Sequence, residues 1–367
     1  MGKEIRIGII GTGMIGKSHV SQYQKVPDAK LVAVCDVNQE EAQKVAAQNN
    51  IPKVLSDFRK LLKMRDIDAV DVCLHNNLHA PVTIAALEAG KHVYCEKPMS
   101  GSYCDSKAMC DAAKRTGKQL HIQLSTLYSK EHKTAKRLIA EGHLGRIYYA
   151  RSFGFRRRGR PWVDGYGTPP FVQKKAAAGG ALFDMGIYHM AQVLDLLGNP
   201  EVETVSGATY QEIPMYEERA KSAGYSVEEL GLGFVRLAGG ITLDIEESWA
   251  LHYEDTESSK ILGSKGGLKL TPFMFFSKAG DLETSASVDL GGADFRWHAC
   301  EKDYAAYDGS QQHWIAALQG RVPLLDTAGV ALNVGLISEG IYRSQEARRE
   351  LSAAEIVKAS KSTALKL

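Results

Sequence analysis

The run Ile5-Arg6-Ile7-Gly8-Ile9-Ile10 leads without a break into Gly11-Thr12-Gly13-Met14-Ile15-Gly16, and this junction limits the folds open to the chain more than any other stretch. A short, almost wholly apolar run predicts a strand buried on both faces, the kind found in parallel sheets covered by helices. The G-x-G-x-x-G that follows has a mechanical reading. Its first glycine permits a tight turn, its second lets a pyrophosphate approach the backbone, and its third lets the next helix pack closely on the strand. The N-terminus of that helix then faces the phosphates. A second apolar run, Leu31 to Cys35, ends in Asp36, twenty residues beyond Gly16. A carboxylate there accepts hydrogen bonds from the adenosine ribose and repels a 2′-phosphate, so NAD is expected in preference to NADP. The expected cofactor residues here are Gly11, Thr12, Gly13, Met14, Ile15, Gly16 and Asp36.

The alternation continues with a helix over 40–49, a short strand near Val54, a helix from Phe58 to Leu62 and a strand from Ala69 to Leu74. A repeating β-α pattern of this kind predicts a doubly wound parallel sheet. The polar turn after Leu74 holds Asn76, Asn77 and His79, which are expected to line the cofactor or, for His79, to serve helix entry. Another strand, His92 to Cys95, ends at Glu96-Lys97-Pro98. Pro98 fixes its own φ and disfavours the α region for Lys97, so the lysine is expected to point out of the ligand edge of the sheet. A nucleotide domain over residues 1–125 follows, with residues 126–367 left for a second domain, as a chain of 367 residues leads one to expect.

The balance of charge is only +2, which gives no general case for a nucleic-acid or membrane partner. The six cysteines form no zinc-type spacing, so no metal site is expected, and reduced thiols suit a cytoplasmic protein. No signal-peptide pattern or membrane-spanning run is read.

The second half changes character. The segment Arg156-Arg157-Arg158-Gly159-Arg160 stands beside Trp162. Guanidinium forks suit an anionic substrate, with Arg156, Arg158 and Trp162 as candidate substrate contacts. Gly179-Gly180 opens a helical run expected to reach Leu197, carrying Asp184, Tyr188 and His189. Asp184 and Tyr188 would share one face, with His189 a step round it. Strand-like runs over 204–210, 233–237, 241–249, 260–262 and 268–270, separated by glycine pairs, predict a mainly antiparallel sheet. Residues 277–310 give no clear pattern.

Three motifs, G-T-G-M-I-G at 11–16, A-G-K-H-V-Y-C-E-K-P at 89–98 and G-G-A-L-F-D-M-G-I-Y-H at 179–189, resemble the Gfo/Idh/MocA family of glucose-fructose oxidoreductases, inositol dehydrogenases and rhizopine-catabolism proteins. The resemblance implies an α/β fold, in which an N-terminal Rossmann domain is joined to a C-terminal α/β domain with a large, mainly antiparallel sheet that forms a dimer or tetramer interface. It also implies a cofactor role for Glu96 and Lys97 and a catalytic Asp with His or Tyr four residues on, which selects Asp184 and Tyr188. The usual His is displaced to 189, so the acid/base is Tyr188 or His189, with the four-residue spacing favouring Tyr188. Removing a hydride from a carbinol carbon also requires removal of the hydroxyl proton, so a base and a cation are needed together. Lys97 supplies the cation and is expected to lower the Tyr188 pKa, while Asp184 orients the lysine or the substrate. The expected activity is NAD-dependent oxidation or reduction of a sugar, cyclitol or related polyol. Two alternatives are redox-neutral cleavage of an anionic glycoside through transient oxidation, and a non-catalytic NAD-sensing protein.

Overall fold

The computed structural model describes residues 3–254 and 258–367. Its first half alternates strand and helix: β1 (Ile5–Ile10), α1 (Met14–Tyr23), β2 (Ala29–Cys35), α2 (Gln39–Gln48), β3 (Lys53–Leu55), α3 (Phe58–Leu62), β4 (Ala69–Val72), α4 (Asn76–Glu88), β5 (His92–Cys95), α5 (Tyr103–Thr116) and β6 (Leu120–Ile122). All six strands run parallel in the order β3-β2-β1-β4-β5-β6. The order reverses between β1 and β4, and a crevice opens beyond the strand ends at that point. The continuous apolar strands are explained by burial on both faces. Ile5, Ile7 and Ile9 pack with Val20 and Tyr23 of α1, while Ile10 joins Val70, Val72 and Val93 in the larger core.

The second half begins with α6 (Lys130–Ala140) and β7 (Ile147–Phe155). Three helices, α7 (Lys174–Ala177), α8 (Ala181–Asp184) and α9 (Gly186–Leu196), lead to β8 (Val202–Tyr210). After α10 (Glu217–Ala223) come β9 (Leu230–Leu237), β10 (Ile241–Ser248), β11 (Lys260–Gly263), β12 (Gly267–Leu270), β13 (Phe273–Ala279) and β14 (Leu282–Ser287). The chain closes with α11 (Leu290–Cys300), α12 (Ser310–Leu318), α13 (Thr327–Ala347), β15 (Leu351–Ser352) and α14 (Ala353–Ala359). Nine strands form one sheet in the order β14-β13-β12-β11-β7-β10-β9-β8-β15. Every neighbouring pair is antiparallel except β7 and β10. Helices α9 and α13 cover one face, filling it with Met190, Leu194, Val334, Ile337 and Ile341.

Two expectations need correction. The run from Gly180 to Leu197 is not one helix: it breaks at Met185, so Asp184 closes α8 and Tyr188 lies in the first turn of α9. Their spacing in sequence therefore does not put them on one continuous helical face. The stretch 277–310, which showed no pattern, contains the end of β13, the edge strand β14 that pairs with it and helix α11. The edge strand β14 is largely exposed and has little apolar alternation, so its sequence carries no strand signal.

The two halves also interlock. Trp314 and Ile315 of α12 return to the first sheet and complete the core around Ile7, Tyr23 and Tyr94. At the end of the chain, the Leu365 N–H donates to the Asn77 carbonyl at 3.0 Å and the Thr363 N–H to Asp105 Oδ2 at 2.8 Å.

Candidate active site

The glycine turn sits at the sheet switch point. Gly11 has φ +98°, and a Cβ there would fall 2.2 Å from the Cys73 carbonyl oxygen. A Cβ on Gly16 would fall 2.0 Å from the Gly11 carbonyl, so α1 owes its close approach to that glycine. Gly13 faces open space. It caps α1 with no side chain on the first-turn N–H groups, which leaves these donors free for an anion. Met14 and Ile15 are exposed on the same turn. Asp36 Oδ2 accepts from the Thr12 N–H at 2.7 Å and from its hydroxyl at 3.0 Å, and Oδ1 accepts from the Asn38 N–H at 2.9 Å. This cradle, with a carboxylate locked at its adenosine end, fits NAD.

Lys97 follows β5 on the same edge. Its Nζ donates to Asp184 Oδ1 at 2.9 Å and to the Asp184 carbonyl at 3.0 Å. It also lies 4.6 Å from the centre of the Tyr188 ring, on the ring face. Asp184 Oδ2 accepts from Trp249 Nε1 at 3.1 Å, and an Arg156 nitrogen stands 4.0 Å away. Burial disfavours the Lys97 ammonium, but Asp184, Tyr188 and Glu96 together outweigh it and hold the lysine pKa well above its ordinary value. The same partnership carries Asp184 below the usual carboxylate range against its own burial. Lysine and aspartate are therefore a fixed ion pair at neutral pH. Asn76, Pro98, Phe171 and Phe183 line a narrow cleft around them.

The two acid/base candidates differ sharply. Tyr188 has its pKa raised, because burial outweighs the Lys97 ammonium: the expected pull of the lysine toward lower pKa is there, but the net shift is upward. Its hydroxyl donates to Gln123 Oε1 at 3.3 Å. His189 has Nδ1 2.8 Å from Glu247 Oε2, and the second oxygen of Glu247 accepts from Ser152 Oγ at 2.8 Å. Burial lowers the His189 pKa, but the Glu247 charge and hydrogen bond reverse the sign, and the net shift is upward. Glu247 is fully buried whereas the His189 ring is 30% exposed, so the imidazole has a held edge and an open one. This is the geometry of a base oriented by a carboxylate.

Several predicted contacts take other duties. The Glu96 carboxylate turns inward to His19, 2.8 Å away, and the His79 nitrogens lie 2.7 and 3.0 Å from the carbonyls of Pro98 and Leu74. Neither side chain points at the cofactor edge. The Asn76 and Asn77 amides donate to the carbonyls of Ala177 and Lys175, fastening α4 to α7, although Asn76 still lines the cleft. Trp162 is not a free stacking platform: Arg219 lies 4.5 Å from its ring centre, and the ring packs on the small core of Val172, Met185 and Trp249. The arginines divide. Arg160 is fully buried, bound to Asp164, Glu229 and the Ile213 carbonyl, and it ties the loop down. Arg158 is solvent-facing and 3.7 Å from Asp164, and only Arg156 stands at the Lys97–Asp184 pair. Glu247, Trp249 and Gln123 were not singled out from sequence. For Glu247 a signal existed: alternation in β10 puts it in the buried file with Leu243 and Ile245, an unusual place for a carboxylate.

Residues 5–124 match the model of the oxidoreductase family with an NAD-binding Rossmann fold, and residues 132–269 match the GFO/IDH/MocA C-terminal domain. The chain is 30% identical to a D-glucoside 3-dehydrogenase of Escherichia coli K12 over 93% of its own length and 95% of that protein's. It is 29% identical to a scyllo-inositol 2-dehydrogenase (NAD(+)) of Bacillus subtilis strain 168, over 94% and 96%. In fold it resembles a levoglucosan dehydrogenase solved with NADH, with a TM-score of 0.79 at 24% identity over 95% of this chain and 99% of that one. With the glycine cradle, the carboxylate beside it and both domain models in register, the chain belongs to the Gfo/Idh/MocA family of NAD-binding oxidoreductases.

Proposed function

We propose that the protein is an NAD-dependent dehydrogenase of a sugar, cyclitol or related polyol, using Lys97, Asp184 and the His189–Glu247 pair. The observation that carries this reading is the partly buried Lys97–Asp184 ion pair on the sheet edge that also holds the glycine cradle. Its relatives include proteins named as glucoside and inositol dehydrogenases, which supports the polyol class.

Bound NAD supplies the hydride acceptor. Asp184, anchored by Trp249, keeps the Lys97 ammonium charged and aimed, so that it steadies negative charge developing on the substrate oxygen. His189 takes the hydroxyl proton at Nε2, while Glu247 holds Nδ1 and stabilises the imidazolium that results. Tyr188 supports Lys97 from below with its ring and reaches Gln123 with its hydroxyl. Arg156 at the mouth gives an anionic substituent a partner. The nine-stranded sheet face opposite α9 and α13 carries Phe234 and Arg236 outward, and copies of the chain associate through it. No helix among the described residues is long and apolar enough to cross a membrane, and all six cysteines are free, in keeping with a cytoplasmic setting.

The test incubates the purified protein with NAD and a panel of free sugars, inositols and neutral or anionic glycosides, following NADH absorbance and released aglycone together. NADH formed in step with substrate consumed is the expected result. Aglycone released without net NADH replaces this reading with redox-neutral glycoside cleavage. NAD binding with no turnover of any panel member favours a sensor.

A further inference from the structure

A cluster of ionisable groups that the mechanism does not use lies directly behind Lys97. His19, on the second turn of α1 and 1% exposed, has Nδ1 2.9 Å from Asp71 Oδ2 and Nε2 2.8 Å from Glu96 Oε1. Asp71 is fully buried and Glu96 is 4% exposed. The Cys73 thiol donates to Asp71 Oδ1 at 3.3 Å and touches His19 Nδ1 at the same distance. Tyr94 closes the cluster with its ring edge-on to the imidazole, 5.6 Å between centres. Both imidazole nitrogens are taken by carboxylates, which leaves no ring lone pair for a metal ion and fits a doubly protonated ring. Burial opposes that charge, yet Asp71 and its neighbours hold the His19 pKa far above the ordinary imidazole range. The second oxygen of Glu96 accepts the Lys97 peptide N–H at 3.0 Å.

We propose that Glu96 is a positioning residue for Lys97: clasped by His19 on one oxygen, it holds the Lys97 peptide with the other and adds a fixed negative charge behind the ammonium. The clasp matters because an unpaired buried carboxylate would take up a proton or swing toward water. Two carboxylates around one imidazolium leave a net charge of about −1 under the site, a sum over groups each paired as a buried ion must be. Glu96 acts on Lys97 together with Asp184 and Tyr188, the other titratable groups that face it. It thereby joins the cofactor helix α1 to the lysine through one unbroken chain of hydrogen bonds, Asp71–His19–Glu96–Lys97.

This inference rests on reading Lys97 as the charge-stabilising group, so its test uses no substrate and stands apart from any turnover assay. Glu96→Gln keeps an acceptor for the Lys97 N–H and removes the charge, which lowers the Lys97 pKa and raises its free-amine fraction. Trace acetic anhydride labelling between pH 8 and 9, read by peptide mass spectrometry, measures that fraction. Lys91, a buried lysine of the same half bonded to the Met64 and Ile67 carbonyls, is the internal reference. The expected result is about a tenfold faster labelling of Lys97, one pKa unit, with Lys91 unchanged. Unchanged Lys97 labelling, or an equal rise at Lys91, overturns the proposal. Where the single variant does not fold, the Asp71→Asn/His19→Asn/Glu96→Gln triple removes the imidazolium and both of its carboxylates, leaves no buried ion of the cluster without its partner, and is read by the same criteria.

Discussion

Replacing Glu247 by Gln tests the proton path most sharply, because the change is nearly isosteric and lies behind the reacting groups. Glu247 is fully buried, 2.8 Å from His189 Nδ1, and its other oxygen accepts from Ser152, an interaction that glutamine can retain. Two effects then act on His189. The first is electrostatic. At an effective dielectric constant of ~20, unit charges ~4 Å apart interact by about 4 kcal/mol. The imidazole is 30% exposed, and screening of its partly open edge reduces this to roughly 1.5–3 kcal/mol, a fall of one to two pKa units. The second is tautomeric. A glutamine amide donates to Nδ1 and so drives the ring proton onto Nε2, the atom that must accept the substrate proton. The corresponding Asp-to-Asn exchange in hydrolase triads costs ~10⁴ in turnover. Glu247→Gln should therefore lower kcat for substrate oxidation by ~10²–10⁴, with the acidic limb of the kcat/KM profile moved to lower pH and NAD affinity little changed. Steady-state NADH formation across pH 5–9, together with fluorescence titration of NAD, measures all three. Turnover within about threefold of the wild type with an unmoved acidic limb would refute the assignment of His189 as the base.

Tyr188→Phe keeps the ring under Lys97 and removes only the bond to Gln123, so kcat should fall less than about tenfold; a loss above ~10³ would transfer the acid/base role to the tyrosine. Gly16→Ala drives a Cβ to 2.0 Å from the Gly11 carbonyl, and should cost ~1–3 kcal/mol in chemical unfolding and weaken NAD binding more than about tenfold by titration calorimetry. Burial pushes His313 down to about 4. The unfolded chain therefore binds a proton near pH ~6.5 that the folded chain refuses, so the stability His313 contributes is present above that pH and is lost as the pH falls toward 4. Thermal unfolding at pH 5 against pH 7.5 should reveal a drop, and His313→Gln should reduce it.

The Rossmann half was legible because each of its signals is local. An apolar run, three glycines and an acid at fixed offsets each report a backbone requirement that neighbouring residues impose, and the contacts at Gly11 and Gly16 bear the mechanics out. The second half was legible only where strands alternate. The break at Met185 escaped because the apolar pattern runs through it. Just after it, a Cβ on Gly186 would meet Glu247 Cγ at 3.0 Å, so the start of α9 packs against β10 through that glycine, a contact no local pattern reports. Arg160 and Trp162 look like a ligand-binding loop in sequence, yet their partners Asp164, Glu229 and Arg219 come from the loop itself and from segments 50 or more residues further on. The His189–Glu247 pair spans 58 residues and two elements, so no spacing rule would have found it.

The return of α12 to the first sheet has a consequence for how the chain is assembled. Trp314 is wholly enclosed among side chains from the opening strands and α1, and the end of the chain is pinned to Asn77 and Asp105. A ribosome releasing the first 125 residues has therefore made a sheet whose apolar flank still awaits a tryptophan almost 200 residues downstream. The packing of the nucleotide half is therefore complete only once residue 314 has been made, late in the synthesis of the chain.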